Sequence, residues 1–481
     1  MAEQEGITVK KSENFSEWYS QVVIKSGLAD YGPVQGTIAI REYGYEIWEK
    51  IREIFDKMLK DSGHKNAYFP LLIPESFLKK EAEHFKGFVP EVFWVTHSGD
   101  NKLGERLAIR PTSETIIYHF YSKWIRSWRD LPVLLNQWCN ITRAEIKSTK
   151  PFIRTSEFLW QEGHTVHATK EEADEEVMKI LKFYQELMEK YLAIPVIVGK
   201  KSEREKFAGA LYTTTLEAMM PDGKALQMGT SHNLGQNFSK AFEIKFLDKD
   251  EKEKYVWQTS WGISTRLIGA LVMVHGDDKG LVLPPKIAPL QVVIVPIFYQ
   301  EGEKKRVLKK AKELLKKLGK AGISALLDDR EVYTPGWKFN DWELKGVPIR
   351  IEIGPKDLKK KQVTIARRDN FKKIVVKEKQ VVKKIFSLME EIQESLFEKA
   401  KDFLNEKTFT PKDYKEFKKI LEEKGGFLRV CWCGEESCEE KIKEETGATI
   451  RTIPFEKEKI FSNCIYCGKK AKEVVYLAKS Y

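Results

Sequence analysis

Two stretches of this chain carry residue types and spacings that could do chemistry. In the first, Arg143-Ala-Glu145 is followed by a basic loop and then by Arg154-Thr155-Ser-Glu-Phe158-Leu-Trp160-Gln-Glu162. The spacing predicts a strand, a loop and a returning strand, with Arg143 and Arg154 brought together across the hairpin. Two arginines converging on a concave sheet make a phosphate clamp, because a guanidinium stays charged and donates in a planar fork. An isolated Arg-x-Glu is more often a surface ion pair, so the argument rests on the extended pattern. In the second stretch, Cys433-x4-Cys438 and Cys464-x2-Cys467 form two knuckle-like pairs. That tetrathiolate spacing suits structural zinc with no open ligand position. Cys431 is the spare thiol, although spacing alone leaves open its use in the set. Glu162-Gly-His164-Thr-Val-His167 also invites a metal reading. At a period of two, however, His164 and His167 fall on opposite faces of a strand, which disfavours joint ligation.

These residues need elements to hold them. Between Tyr43 and Lys60 the apolar residues Ile47, Trp48, Ile51, Ile54, Phe55, Met58 and Leu59 keep the three-and-four spacing of an amphipathic helix, stopped by Asp61-Ser-Gly63. Asn66 to Pro74 reads as one strand bracketed by Pro70 and Pro74, suited to an edge or an interface. Strands are expected at Val133 to Thr142, Phe158 to Ala168, Ile194 to Gly199, Ala225 to Thr230 and Lys254 to Gln258. Helices are expected at Ser113 to Arg129 and Lys170 to Leu192. Strands this irregularly spaced argue for a mainly antiparallel sheet with flanking helices. After Leu283-Pro-Pro285 the pattern alternates: strand Gln291 to Pro296, helix Glu303 to Leu318, strand Ile323 to Leu327, helix Trp337 to Lys345, strand Ile349 to Ile353. That predicts a small α/β unit with a parallel sheet. A helical stretch from Val376 to Leu404 links it to the cysteine-bearing segment.

With 481 residues, the chain has room for two to four domains. Hydrophobic residues make up 42% and charged ones 32%, which excludes wholesale disorder. The longest apolar run, Ile287 to Tyr299, is interrupted by Pro289 and Pro296 and falls short of the roughly 20 residues a membrane span needs. The first residues lack a secretory pattern, so a cytoplasmic location is expected. Five of the 6 cysteines cluster near the C-terminus, a local device rather than a disulfide framework. A net charge of +11 suggests a polyanionic partner. From Lys356 to Lys384 twelve basic residues face three acidic ones, a local balance of +9.

The pattern around Arg143 and Arg154 resembles motif 2 of the class II aminoacyl-tRNA synthetases. The helix, Gly63 and the Pro70 segment resemble their motif 1, and Trp261-Gly262-Ile-Ser264-Thr-Arg266 resembles motif 3. Arg110-Pro-Thr112-Ser-Glu114, Trp160-Gln-Glu162-Gly-His164, Phe207-Ala-Gly209 and Gln227-Met-Gly-Thr230-Ser-His232 are similar to the prolyl-tRNA synthetases of archaeal and eukaryotic type. The resemblance spans essentially the whole chain. It implies an α+β catalytic domain on an antiparallel sheet at 1–285 and an α/β anticodon-binding domain at 286–384. A helical linker at 385–408 and a small α+β zinc-binding domain at 409–481 complete the expectation.

The resemblance also implies roles. Arg143 would hold the α-phosphate and the amino-acid carboxylate, Arg154 and Arg266 the bent triphosphate, and Phe158 would stack on adenine. Glu145 would accept from the adenine amino group, with Thr155 and Ser264 beside the nucleotide. Gln227 and Thr230 would help place ATP and Mg2+. Prolinium is a secondary ammonium with two N–H donors, and Thr112 with Glu114 suit it as acceptors. Trp160, Glu162, His164, Phe207 and His232 would complete the amino-acid pocket. Glu343 and Lys356 would read guanines of the anticodon, since RNA sequence is usually read from unstacked bases. The expected substrates are L-proline, ATP and tRNA(Pro), with a structural Zn2+ on Cys433, Cys438, Cys464 and Cys467. The motif 1 elements imply a homodimer, and Tyr481 matches a C-terminal tyrosine that folds back towards the active site in the family.

Selectivity is the weak point of such a pocket, because a missing methylene costs a smaller rival only about 1–3 kcal/mol. Bacterial-type members carry an editing insertion between motifs 2 and 3. Here about a hundred residues separate Glu162 from Arg266, so no editing in cis is expected. Threonine, serine or glycine as substrate fits Thr112, Glu114 and Trp160 less well, while cysteine is a closer competitor. A silent synthetase-like module would ordinarily have lost one of Arg143, Glu145, Arg154 and Arg266, and all four are present.

Overall fold

The amphipathic stretch folds as the helix Glu42–Asp61 in a computed structural model, which describes residues 6–84, 91–146 and 149–481. Its buried face is Ile47, Trp48, Ile51, Phe55 and Leu59. Trp48 meets Trp138, and Phe55 stacks on Tyr184 at 5.0 Å. Gly63 ends the turn at φ +93°, a conformation that glycine adopts without a Cβ penalty.

The strand expected over Asn66 to Pro74 divides into two. Lys65–Asn66 pairs in parallel with Leu135 and Asn136 at one edge of the large sheet. Leu72–Pro74 pairs instead with Leu107 to Ile109 in a separate three-stranded sheet. Pro70 has no N–H for a continuing ladder, and the chain crosses between the sheets there. The crossing is tied down by Phe69, whose N–H donates to Gln137 Oε1 and whose carbonyl accepts from Arg110.

Among the described residues the large sheet has eleven strands. From the Lys65–Asn66 edge they run Val133–Thr142, Glu157–His167, Trp257–Ser264, Ala225–Gly235, Tyr212–Met219 and Ile197–Lys200, all antiparallel. The hairpin stays in register from Val133 opposite Val166 to Thr142 opposite Glu157. Lys170–Glu186, capped by the Thr169 hydroxyl, and Arg266–His275 pack against it. The expected Ser113 to Arg129 helix stops at Trp124, and the Lys254 to Gln258 strand splits into Glu253–Tyr255 and Trp257–Ser264.

The α/β unit has three parallel strands, Ala325–Leu327, Val292–Pro296 and Ile349–Ile353. The expected parallel sheet is nevertheless mixed. Gln362–Arg367 and Lys373–Lys377 add an antiparallel hairpin within the lysine-rich stretch, where solvent-facing charges mask the inward Val363 and Ile365. The linking helix therefore starts later, as Val381–Glu406.

The C-terminal segment has an apolar core of its own and also joins the large sheet. Thr408–Phe409, Phe427–Trp432, Glu473–Ala478 and Thr449–Pro454 continue the large sheet, with Ile453 and Pro454 paired to Lys200 and Gly199. The approach is tight enough that a Cβ on Gly199 would lie 2.2 Å from the Ile453 carbonyl oxygen.

Candidate active site

The hairpin, the Trp257–Ser264 strand and the Ala225–Gly235 strand form the floor of a cleft holding a cavity of about 440 Å³. All sixteen residues expected around the amino acid and ATP line it. Register sorts them by level. His164, Ser260, His232 and Thr213 stand side by side across four strands at one end. Trp160 opposite Ser264, and Gln227 opposite Glu217, mark the other.

The first end is buried and polar. Thr112 donates to Glu114, the first residue of the Glu114–Trp124 helix, where a carboxylate also favours the helix N-terminus. Ser113 stands at the N-cap, yet its hydroxyl makes no cap bond and donates to Glu162 instead. Glu162 also accepts from Gln137 Nε2 at 2.9 Å and from the Cys139 thiol at 3.4 Å, and pairs with His164 Nε2 at 3.0 Å. Burial opposes the Glu162 charge, but His164, Ser113 and Gln137 outweigh it and hold the carboxyl below its usual range. Burial likewise opposes the His164 charge, while Glu162 and Glu114 carry its pKa upward. His232 has no such partner and burial pulls it down to about 3, so it is neutral. Its Nδ1 shares a 2.8 Å hydrogen bond with Thr213, and Phe207 lies over the ring at 4.9 Å.

The second end is cationic and opens to solvent. Arg154 and Glu145 are exposed. Burial lowers the pKa of Arg143 and, more completely enclosed, of Arg266. Arg266 reaches the Gln227 carbonyl at 3.3 Å, and Phe158 meets Trp160 edge-on at 6.2 Å. Residues 147 and 148 of the basic loop lie outside the described residues.

Several participants were not singled out from sequence. Gln137 and Cys139 alternate on the cleft face of the outgoing strand, a period-two signal that was available once the hairpin was placed. Lys201, Thr213 and Ser260 also line the cavity. Arg110 was quoted without a role. Wholly buried, it bonds to the Phe69 and Asn140 carbonyls and so fixes the Thr112 loop against the hairpin.

Comparison with known proteins now bears on this geometry. Residues 93–275 match the tRNA synthetase class II core domain (G, H, P, S and T), 291–388 an anticodon binding domain, and 414–481 the prolyl-tRNA synthetase C-terminal family. The chain is 58% identical to proline–tRNA ligase of Cenarchaeum symbiosum, over 99% of both chains. It is 56% identical to that of Alkaliphilus oremlandii, over 97% of this chain and 96% of the relative. The chain belongs to the proline–tRNA ligase family. Proline–tRNA ligase activity on a class II synthetase core follows for it.

Two further sites can be placed within this ligase. Sulfur atoms of Cys433, Cys438, Cys464 and Cys467 all lie within 4.8 Å of one another. Cys433 and Cys467 are each followed by a glycine at positive φ, which lets the knuckles turn. Cys431 points elsewhere, onto Ala471 and Val474, so the choice left open by spacing falls to Cys433. Four gathered thiols with no carboxylate or histidine among them fit a closed structural metal site. In the anticodon domain, Glu343 lines a shallow pocket of about 100 Å³ with Trp342, Arg350, Arg368, Phe371 and Lys373. Lys356 is exposed on the helix Pro355–Lys360, outside that pocket. Tyr481 lies outside the lining of the catalytic cleft. Its hydroxyl bonds to Asp222, and the Lys150 and Lys224 ammonium groups stand over its ring.

Proposed function

We propose that the cleft joins L-proline and ATP as prolyl-adenylate and then passes the prolyl group to the 3′ end of tRNA(Pro). The observation that carries this is the division of one cavity into a buried end of hydroxyl and carboxylate acceptors and a cationic end of arginines. Thr112 and Glu114 accept the two N–H donors of prolinium, while Trp160, Phe207, His164 and His232 wall the ring. Arg143, sensed electrostatically by Glu114, Glu145 and Glu162, sits where the proline carboxylate meets the α-phosphate. A carboxylate oxygen bonds to the α-phosphorus as the bond to pyrophosphate breaks. Arg143, Arg154 and Arg266 neutralise the charge that develops, so the protein acts by positioning and electrostatics and needs no covalent nucleophile. Phe158, Glu145, Thr155 and Ser264 hold the nucleotide, and Gln227 with Thr230 help seat its Mg2+.

The absence of editing in cis is supported by what lies between Glu162 and Arg266. The helix Lys170–Glu186 packs on the catalytic sheet, four of the strands up to Ser264 belong to it, and the other two described strands form only a short hairpin, Lys245–Leu247 with Glu253–Tyr255. Zinc in the four-thiol site, Glu343 and Lys356 as anticodon contacts, a homodimer through the motif 1 face, and action in the cytoplasm complete the reading. The domain limits in this reading are those the resemblance implies: 1–285, 286–384, 385–408 and 409–481. Among the described residues no helix is long and apolar enough to cross a membrane.

Charging assays test it. Purified enzyme with ATP, proline and tRNA(Pro) yields prolyl-tRNA and leaves preformed alanyl-tRNA intact. Failure to charge contradicts the activity, and hydrolysis of alanyl-tRNA contradicts the editing-free reading.

A further inference from the structure

Where the C-terminal strand Thr449–Pro454 meets the catalytic sheet, three charges are sealed between them. Glu217 is 0% exposed, Lys201 7% and Arg451 7%. Arg451 forks onto Glu217 through Nε at 3.1 Å and Nη2 at 3.0 and 3.1 Å. Lys201 Nζ donates to the same carboxylate at 2.7 Å and to the Arg451 carbonyl at 3.0 Å. Thr215 supplies one more donor at 2.8 Å. Arg451 is also steadied by Thr449 and Ser480, both within the C-terminal segment.

Glu217, the centre of this cluster, stands at the nucleotide level of the cleft, whereas the Lys201 N–H donates to the Thr213 carbonyl further along. Glu217 is directly opposite Gln227, whose carbonyl accepts from Arg266. The proline end, at Thr213 and His232, is four residues along the same strand. Among the charges felt by buried Arg266, Glu217 does most to favour its ionised form, while Arg451, Arg143 and Arg154 oppose it. Lys201 is also part of the cavity lining. Charges buried this deeply interact strongly, and removing one partner leaves the others uncompensated.

We propose that Arg451 is a positioning residue for ATP: it fixes Glu217 and Lys201, and through them the strand and the arginine that receive the triphosphate. The zinc-bearing segment thus supplies part of the electrostatic frame of the nucleotide end without touching substrate. This rests on the reading of the cavity given above. It predicts an effect felt mainly by one substrate, because the carboxylate that Arg451 grips lies four residues from the proline level, and the Lys201 backbone that reaches that level is held by the sheet whether or not Arg451 is present.

The test is proline-dependent pyrophosphate exchange by the full-length zinc-loaded enzyme, with KM measured separately for ATP and proline. In Arg451→Met the ATP KM rises about tenfold and the proline KM changes less than about twofold, the signature of an interaction specific to one substrate. Arg451→Lys keeps the charge but not the fork and recovers most of the loss, leaving the ATP KM about two- to threefold above wild type. Melting and zinc content show whether each variant is folded. Parallel changes in both KM values, or none in folded Arg451→Met, overturn the proposal. Should the methionine variant not fold, Arg451→Lys decides: an ATP KM raised two- to threefold at constant proline KM supports the proposal, and an unchanged one overturns it. Failure of the wild-type enzyme to exchange with proline would instead count against the underlying reading of the cavity.

Discussion

Glu162 and His164 share a buried charge that neither could hold alone. His164 titrates above its usual 6.5 because Glu162 and Glu114 overcome the burial that opposes its charge. Its contribution to stability is therefore complete below pH 6.5 and is lost as pH rises through the raised value. Glu162 is held below its usual 4.5, so its contribution is present above pH 4.5 and is lost as pH falls through the lowered value. The pair is at full strength between those two limits. His164→Gln, which cannot become charged, should shift the urea midpoint more at pH 6 than at pH 9. An equal shift at both would contradict a charged pair. This part of the site was only half legible in the sequence. His164 and Glu162 stand in a recognisable motif, whereas Ser113 reaches Glu162 from another element with no local mark, and Gln137 and Cys139 show themselves only once the hairpin register is set.

Among elements, the hairpin was legible to the residue at Val133–Thr142, because turn-back and motif agree on its ends. Tyr212–Met219 was missed: seven of its eight residues are buried, so no alternation of apolar and polar positions announces it. The join between the Thr449–Pro454 strand and the Ile197–Lys200 strand was missed for another reason, since edge-to-edge pairing at two residue pairs leaves nothing periodic to read. Within the C-terminal element the thiols give a sharp test. Cys433→Ser should reduce bound zinc from about one per chain towards none and lower the melting temperature, as expected where metal binding contributes folding free energy. Cys431→Ser, at a thiol packed on Ala471 and Val474 and outside the cluster of four, should leave the zinc content near one. Loss of zinc in both would contradict the assignment.

At the scale of the molecule, the activating cleft and the anticodon pocket belong to different sheets. Glu343→Ala should therefore lower charging of tRNA(Pro) about tenfold and leave pyrophosphate exchange unchanged, each lost base contact being worth about 1–3 kcal/mol in discrimination. An equal fall in both reactions would contradict that separation. Four of the twelve basic residues in the Lys356 to Lys384 stretch are paired, Arg367 with Asp369 and Glu391, Arg368 with Asp277, Lys373 with Glu352 and Lys384 with Glu391. The charge count thus overstated what is free for RNA. Around the motif 1 segment, Tyr68 is 71% exposed and Trp124 51%, apolar area suited to a subunit interface. Tyr68→Asp should shift sedimentation from dimer to monomer, and an unchanged dimer would place the interface elsewhere.

The central claim, that one cavity seats proline at its buried end and ATP at its cationic end, is tested most directly by exchange of labelled pyrophosphate into ATP. The account predicts exchange that depends on proline, is weaker with alanine or cysteine and weaker still with threonine, and falls by at least about a hundredfold in Arg143→Ala through loss of transition-state charge stabilisation. No exchange with proline in the folded, zinc-loaded enzyme, or undiminished exchange in Arg143→Ala, would contradict it.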